Sequence, residues 1–379
     1  MTVHLDPVYL DHAATTPMCP EAVEAMLPFL TERFGNPSGS HAVAREARKA
    51  LDEARDVVAE CLGAEPGEVV FTGGGTEADN LAIVGTHAAR GGRAVCTAVE
   101  HHAVLHACAA VGGDVAAVGA DGVVDVSLLP NQLGPDVSVV SVMLANNEVG
   151  TVQPLDAVAA VVRDQSPEAV LHTDAVQAFP WLDVASLARC ADLVAVSAHK
   201  FGGPKGVGAL VVRDGTRLAP ILHGGGQERD RRSGTHNVAG IVGMAAAMRA
   251  TVASRLDTVA RVTVLRDRLA DGLLAAIPDA AETGDRSSKV AGNCHLSFAG
   301  VESEALLVLL DGAGVCASAG SACTSGAIEP SHVLVAMGVA KERALGSLRL
   351  SLGVTTTESD VDFALEAVPA AVARLREPA

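Results

Sequence analysis

The sequence predicts an α/β protein, with a large domain built on a mostly parallel, doubly wound sheet and a smaller α+β unit toward the C-terminus. Three observations carry this. Apolar, β-rich runs alternate with Ala-rich stretches of helical length between about residues 45 and 250, the pattern of strands joined by helical crossovers. Several of those runs end in a burst of polar or glycine residues. Beyond residue 250 the rhythm changes to a long amphipathic helix followed by a short mixture of strands and helices.

The strand candidates are, in order, EVVFTGG, RAVCTAV, VSVVSVMLANN, AVLHTDAVQ, DLVAVSAHK and GVGALVVR. Their polar ends are Gly73 to Asp79, Glu100 to His102, Asn146 to Gly150, Asp174 to Gln177 and Ser197 to Lys200. In open α/β sheets the carboxyl ends of the strands line the ligand crevice, so these bursts predict one shared site. A helix is expected from Ser254 to Ile277, where Leu256, Val259, Val262, Leu265, Leu269 and Leu273 recur near helical spacing. The strands NCHLSFAG and SLRLSLG and the helices ESEALLVLLDGAG and ESDVDFALEAVPAAVARL complete the smaller unit. The expected division is a large domain over 14–252 and a small one over 1–13 and 253–379. With no long Pro/Ser linker between them, the two should share an interface.

Composition excludes several classes. The 379 residues are 49% hydrophobic and 19% charged, which places the chain among soluble globular proteins. A net charge of -17 repels phosphate backbones, and no basic patch offsets it, so direct nucleic-acid binding is not expected. No apolar run reaches the roughly 18 residues of a membrane span, and MTVHLDPVYLDHAATTP lacks the parts of a signal peptide, so a cytoplasmic protein without membrane contact is expected. Eight cysteines (Cys19, Cys61, Cys96, Cys108, Cys190, Cys294, Cys316 and Cys323) form no CxxC pair. Most should be reduced and packed as small hydrophobes.

Lys200 follows an apolar strand, between Ser197 and His199 on one side and a glycine-rich turn on the other. A solvated strand-end charge is the ordinary fate of such a lysine, and GGPKG lacks the spacing of a P-loop. Asp174 at another strand end changes the weighing. Pyridoxal-phosphate (PLP) sites need a Schiff-base lysine and an acid that keeps the pyridine nitrogen protonated. FTGGGTEADN offers the N–H groups of Gly74, Gly75 and Thr76 at the start of a helix, where a phosphate could be held, although a plain flexible turn has the same composition. His101 could stack on a cofactor ring or move protons. His101, His102 and His106 superficially suggest a metal site, but no Cys or carboxylate spacing completes one, and none is expected.

Taken together and in order, YLDHAATTP, FTGGGTEADN, EHHAVL, ANNEVGTVQP, HTDAVQA, SAHKFGGPKGVGAL, HGGGQERDRRSGTHN, ASAGSACTSGAIEPSHVL and SLRLSLG resemble the cysteine desulfurases of the NifS/IscS type, within the class V aminotransferases. The resemblance runs end to end and implies a PLP-dependent, aminotransferase-like fold (fold type I). It makes Lys200 the Schiff-base lysine, pairs Asp174 with the pyridinium, sets Gln177 on the ring oxygen and stacks His101 over the ring. Gly75, Thr76, Ser197 and His199 would hold the phosphate. Thr235 would reach the phosphate of the other subunit of a homodimer. Asn147, beside the cofactor, and Arg349 would bind the substrate carboxylate, a role that suits the planar guanidinium fork.

Cys323 lies among small, turn-forming residues without apolar periodicity, which reads as an exposed loop, and the family pattern places the nucleophile inside GSAC rather than at the nearby Cys316. The implied reaction takes sulfur from L-cysteine onto Cys323 as a persulfide and leaves alanine. Lys200 moves the α-proton, Cys323 attacks as thiolate, and His101, with both protonation states within reach near pH 7, is a candidate for proton traffic. The loop resembles the long-loop branch of the family, whose persulfide serves several acceptors. The sequence closes at ARLREPA without the tail by which some members engage an iron–sulfur scaffold. Acceptors in tRNA thiolation, cofactor synthesis or DNA sulfur modification are therefore expected alongside iron–sulfur assembly.

Overall fold

A computed structural model describes residues 7–320 and 329–377 of the chain. In chain order its strands are β1 (Val8–Tyr9), β2 (Val69–Thr72), β3 (Arg93–Thr97), β4 (Asp114–Ala116), β5 (Val137–Ser141), β6 (Val170–Asp174), β7 (Leu193–Ser197), β8 (Gly208–Val212), β9 (Ala281–Glu282), β10 (Asn293–Ser297), β11 (Val315–Cys316) and β12 (Ser347–Ser351). Each expected apolar run contains one of them. β1, β4, β9 and β11 were not legible in the sequence, because two or three residues are too few to show a period.

The large sheet has seven strands in the order β2-β8-β7-β6-β5-β3-β4. Pairings from β7 through β4 are parallel, whereas β8 runs antiparallel to both of its neighbours. Alternate side chains leave the strands on opposite faces. Phe71, Val194, Val196, Ala209 and Val211 join the core on one face, and Val70, Leu193, Ala195, Leu210 and Val212 that on the other. Both faces are covered, which is why these strands read as continuous apolar runs rather than alternating ones.

The smaller unit holds the antiparallel sheet β12-β10-β9 and the parallel pair β1-β11. Its core gathers Val8, Leu10, Leu269, Leu296, Leu350 and Val361, so the start of the chain packs with its end. Helix Glu358–Arg376 begins with a capping box at Thr357 and Asp360 and closes this core.

One helix, Val238–Ala276, serves both cores. Ile241, Met244 and Met248 lie in the first, and Val262, Leu265 and Leu273 in the second. It starts well before the expected Ser254. The early part packs against helices Pro20–Thr31 and Ala42–Cys61 and is buried on nearly every side, so no polar face marks a period there. The Asn237 side chain caps its start, accepting from the N–H of Gly240 at 3.0 Å. No described helix is long and apolar enough to cross a membrane.

Candidate active site

The parallel strands all end on one edge of the large sheet, and the polar bursts that follow them meet there. A cavity of about 350 Å3 is lined from each: Gly75 and Thr76 after β2, His101 after β3, Asn147 after β5, Asp174 and Gln177 at the end of β6, and Ser197, His199 and Lys200 after β7. The smaller unit adds Arg349 from β12, together with Ser318, Gly320 and His332.

Lys200 sits on a single 3-10 turn, Ala198–Lys200, that stops β7. Its Nζ donates to the carbonyls of Ala13 and Ala14 at 2.6 and 2.8 Å, so the N-terminal segment holds the amine in place. Burial, reinforced by the positive Arg349 and opposed by Asp174 and Asp11, lowers its pKa to about 8. A fraction of the amine is therefore unprotonated near neutral pH, as a lysine acting as nucleophile or base requires.

Asp174 is buried, and its Oδ1 accepts from the Val176 N–H at 2.8 Å. Burial pushes its pKa up, against the opposite pull of His101, that N–H and Lys200. Two further buried carboxyls share its field. Asp79 is raised by burial and by Asp174 and Glu100, and Glu100 is raised by burial to about 8 although Thr97 and the Met143 N–H bond it. Such a group of acids favours a cation beside it, and a protonated pyridine nitrogen is one. The residues fit PLP in this respect.

They fit at the phosphate end as well. Helix Gly75–Arg90 has no side-chain cap, and its first N–H groups open onto the cavity beside Thr76, Ser197 and His199, an anion site by construction. Gly74 has φ +146°, and a Cβ on Gly75 would come within 2.9 Å of Val176 Cγ2, so the close turn requires glycine. His199 donates to or accepts from Thr15 Oγ1 at 3.2 Å, and burial, together with Lys200 and Lys205, lowers its pKa to about 4.

His101 is the N-cap of helix His102–Ala110, its Nδ1 accepting from the Ala103 N–H at 3.1 Å. Burial lowers its pKa, with Asp174 opposing. A nitrogen that accepts a backbone N–H cannot take a proton without losing the cap, so burial and the cap bond both favour the neutral ring with its proton on Nε2. His102 also lines the cavity and stacks with His332 and His106 at ring-centre distances of 4.6 and 5.2 Å.

Arg349 enters from the opposite side. It donates to Asp11 Oδ1 at 2.8 Å and to the Asn147 carbonyl at 2.9 Å, while its Nε and the Asn147 Oδ1 are buried without a partner among the described residues. Gln177 donates to the Ala13 carbonyl at 2.7 Å. Thr235 is exposed and does not line this cavity. Cys323 lies outside the described residues. Cys316 is half-buried in β11, with its thiol pKa raised by burial.

Asp11 and Glu148 were missed by sequence reasoning. Asp11 pairs with Arg349, and Glu148 is buried at the cavity wall, where it accepts from the Ser331 hydroxyl. Both lie inside motifs already noted, YLDHAATTP and ANNEVG, and a buried acid beside an asparagine pair was the available signal.

Comparison with known proteins agrees with this geometry. The family described as Aminotransferase class-V matches residues 8–363. An IscS-like cysteine desulfurase of Mycobacterium tuberculosis is 48% identical over 386 residues, covering 98% of this chain and 98% of its own. A solved NifS-like protein superposes with a TM-score of 0.90 at 35% identity, over 97% of this chain and 100% of that one. The crystal structure of DndA from Streptomyces lividans gives 0.75 at 37% identity, over 90% and 99%.

Proposed function

The chain belongs to the class-V aminotransferases, and from that premise we propose that it is a PLP-dependent cysteine desulfurase, converting L-cysteine to L-alanine and leaving a persulfide on Cys323. The observation that carries the reading is one cavity that brings together Lys200, Asp174, His101 and Arg349 beside an uncapped helix start. Relatives named cysteine desulfurase over nearly the whole chain support it.

PLP, when bound, supplies an electron sink that makes the substrate α-proton removable. The protein's own groups do the rest. Gly75, Thr76, Ser197 and His199 would hold the phosphate, and Asp174, Gln177 and His101 would hold the ring. Arg349, anchored by Asp11, offers its remaining N–H groups to the substrate carboxylate, with Asn147 beside it. Lys200 Nζ accepts the α-proton in its uncharged form. The Cys323 thiolate then attacks the substrate sulfur, so that an S–S bond forms as the C–S bond breaks and the carbon keeps the electron pair. Protonation of that carbon gives alanine. His101 carries proton traffic in this step through its cationic form, whose formation gives up the Nδ1 cap bond.

Thr235 completes the phosphate site of a second subunit. A homodimer is supported by the exposure of Thr235 away from its own cavity and by exposed Val23, Leu27 and Leu30 along helix Pro20–Thr31. A sulfur-acceptor protein of iron–sulfur assembly, tRNA thiolation or DNA sulfur modification takes the persulfide, in the cytoplasm. The large domain is 14–252, and 1–13 with 253–379 forms the small one, a division supported by the two cores that share helix Val238–Ala276.

Mass spectrometry of the purified protein after adding L-cysteine, with alanine assayed in the same tube, tests the reading. One added sulfur mapped to Cys323 with matching alanine is expected, and Cys323→Ser keeps its cofactor but gains no sulfur. Sulfur release by Cys323→Ser at the unaltered rate would remove Cys323 from the mechanism. Neither product in the unaltered protein would remove the desulfurase reading.

A further inference from the structure

Behind the wall that carries Lys200 lies a second cavity, of about 620 Å3, between the two units. Ala13, Gln177 and Lys200 line both cavities, so the N-terminal segment that accepts the Lys200 amine is the partition. None of the steps proposed above uses the space beyond it.

Its walls are mostly apolar, with Met18, Pro180, Trp181 and Leu352 among them, yet they include buried polar groups without a partner among the described residues. His12 is 5% exposed and neither ring nitrogen has a partner among the described residues. Asn293 is 3% exposed; its amide donates to the Glu148 carbonyl at 2.8 Å, leaving Oδ1 unpartnered. Arg255 stacks on the Phe179 ring at 5.2 Å and feels the Asp183 carboxylate, but its Nε and one terminal nitrogen are buried without a hydrogen-bond acceptor among the described residues. Polar atoms in such positions ordinarily cost on the order of 1–3 kcal/mol each unless something bonds them.

The donors and acceptors select the occupant. An anion alone would answer Arg255 but would leave Asn293 Oδ1 unmet and would face Glu21 and Asp257 at the rim. A cation alone would do the reverse. A zwitterion answers both, and the apolar walls take a hydrophobic side chain. We propose that this cavity is a second small-molecule site, taking an α-amino acid with an apolar side chain. Its carboxylate lies on Arg255, and its ammonium on Asn293 Oδ1 and the accepting nitrogen of His12. The site is independent of the desulfurase reading.

Isothermal titration calorimetry of the full chain, with and without PLP, tests it with L-leucine as probe and glycine as the control that lacks a side chain. Saturable L-leucine binding in both forms is expected, with glycine at least tenfold weaker. Arg255→Gln should weaken L-leucine tenfold or more while leaving cysteine turnover unchanged. Val354→Trp, at a rim position that is 65% exposed, should weaken it without disturbing the core. Three results overturn the proposal: no saturable binding, which would mean that water alone fills the cavity; L-leucine affinity unaffected by both variants; or affinity lost in Arg349→Gln but kept in Arg255→Gln, which would place the amino acid in the first cavity.

Discussion

Replacing Arg55 by leucine removes both arms of a buried ion pair that pins the loop carrying Thr235. The Arg55 guanidinium donates to the two Glu228 oxygens at 2.8 and 2.6 Å, and Glu228 also accepts from the Phe71 N–H at 3.0 Å and bonds His236 Nε2 at 2.7 Å. Glu228, Arg229 and Asp230 have φ values of 50°, 58° and 63°, three successive left-handed residues that each cost roughly 1–2 kcal/mol and need something to hold them. Burial pushes the Glu228 carboxyl up, but Arg55, His236 and the Phe71 N–H outweigh it and hold it at about 2. The gap from an ordinary glutamate, about 4.3, converts to roughly 3 kcal/mol of stability. A pKa depressed on folding stabilises above the unfolded value, and that stability is lost as pH falls through about 4 toward 2. Arg55→Leu leaves the carboxylate buried with its cation gone, so a cost of about 3–5 kcal/mol is expected at pH 7. Guanidinium unfolding followed by circular dichroism measures it. The same comparison at pH 3 should show a smaller difference, because the variant's Glu228, without its cation, is protonated there and the unaltered protein has begun to lose the advantage of its depressed pKa. A cost below about 1 kcal/mol at pH 7, or one that does not change with pH, would refute the argument.

Two further outcomes follow from the site. In protein freed of cofactor, labelling of Lys200 by an amine-reactive reagent, mapped by peptide mass, should rise with pH to half its maximum near pH 8, because burial lowers the lysine pKa to about 8. Arg349→Gln removes a cause of the depression and should move that midpoint upward; a midpoint already in the ordinary lysine range, near 10.4, contradicts the burial account. His101→Ala loses the cap of helix His102–Ala110 and should cost about 1 kcal/mol, whereas His101→Asn should restore the stability but not the rate. Rate recovered by asparagine would reduce His101 to a structural cap.

Much of the fold was legible because its signals are local. The runs that became β2, β3, β5, β6, β7 and β8 are rich in apolar and β-branched residues, and all but the last stop at a polar burst that marks a strand end. Gly75, Asp174 and Lys200 could be found for the same reason. The Val238–Ala276 helix was misplaced at its start because complete burial erases the polar face that periodicity reads. The bias of His101 toward its neutral form was not legible, because it comes from burial and a cap bond rather than from neighbours in the motif.

The order of residues along the chain thus determined the strands, the edge on which polar groups gather, and the residue types able to hold a phosphate, a pyridinium and a carboxylate. Contacts between residues hundreds of positions apart were decided only by the tertiary structure. Asp11 meets Arg349 of β12, and Lys200 donates hydrogen bonds to the carbonyls of Ala13 and Ala14, because the chain's start packs into the unit built by its end. Burial is the physical reason this matters. The same lysine in water would stay charged near pH 7, and only the walls assembled around it bring its pKa down to about 8.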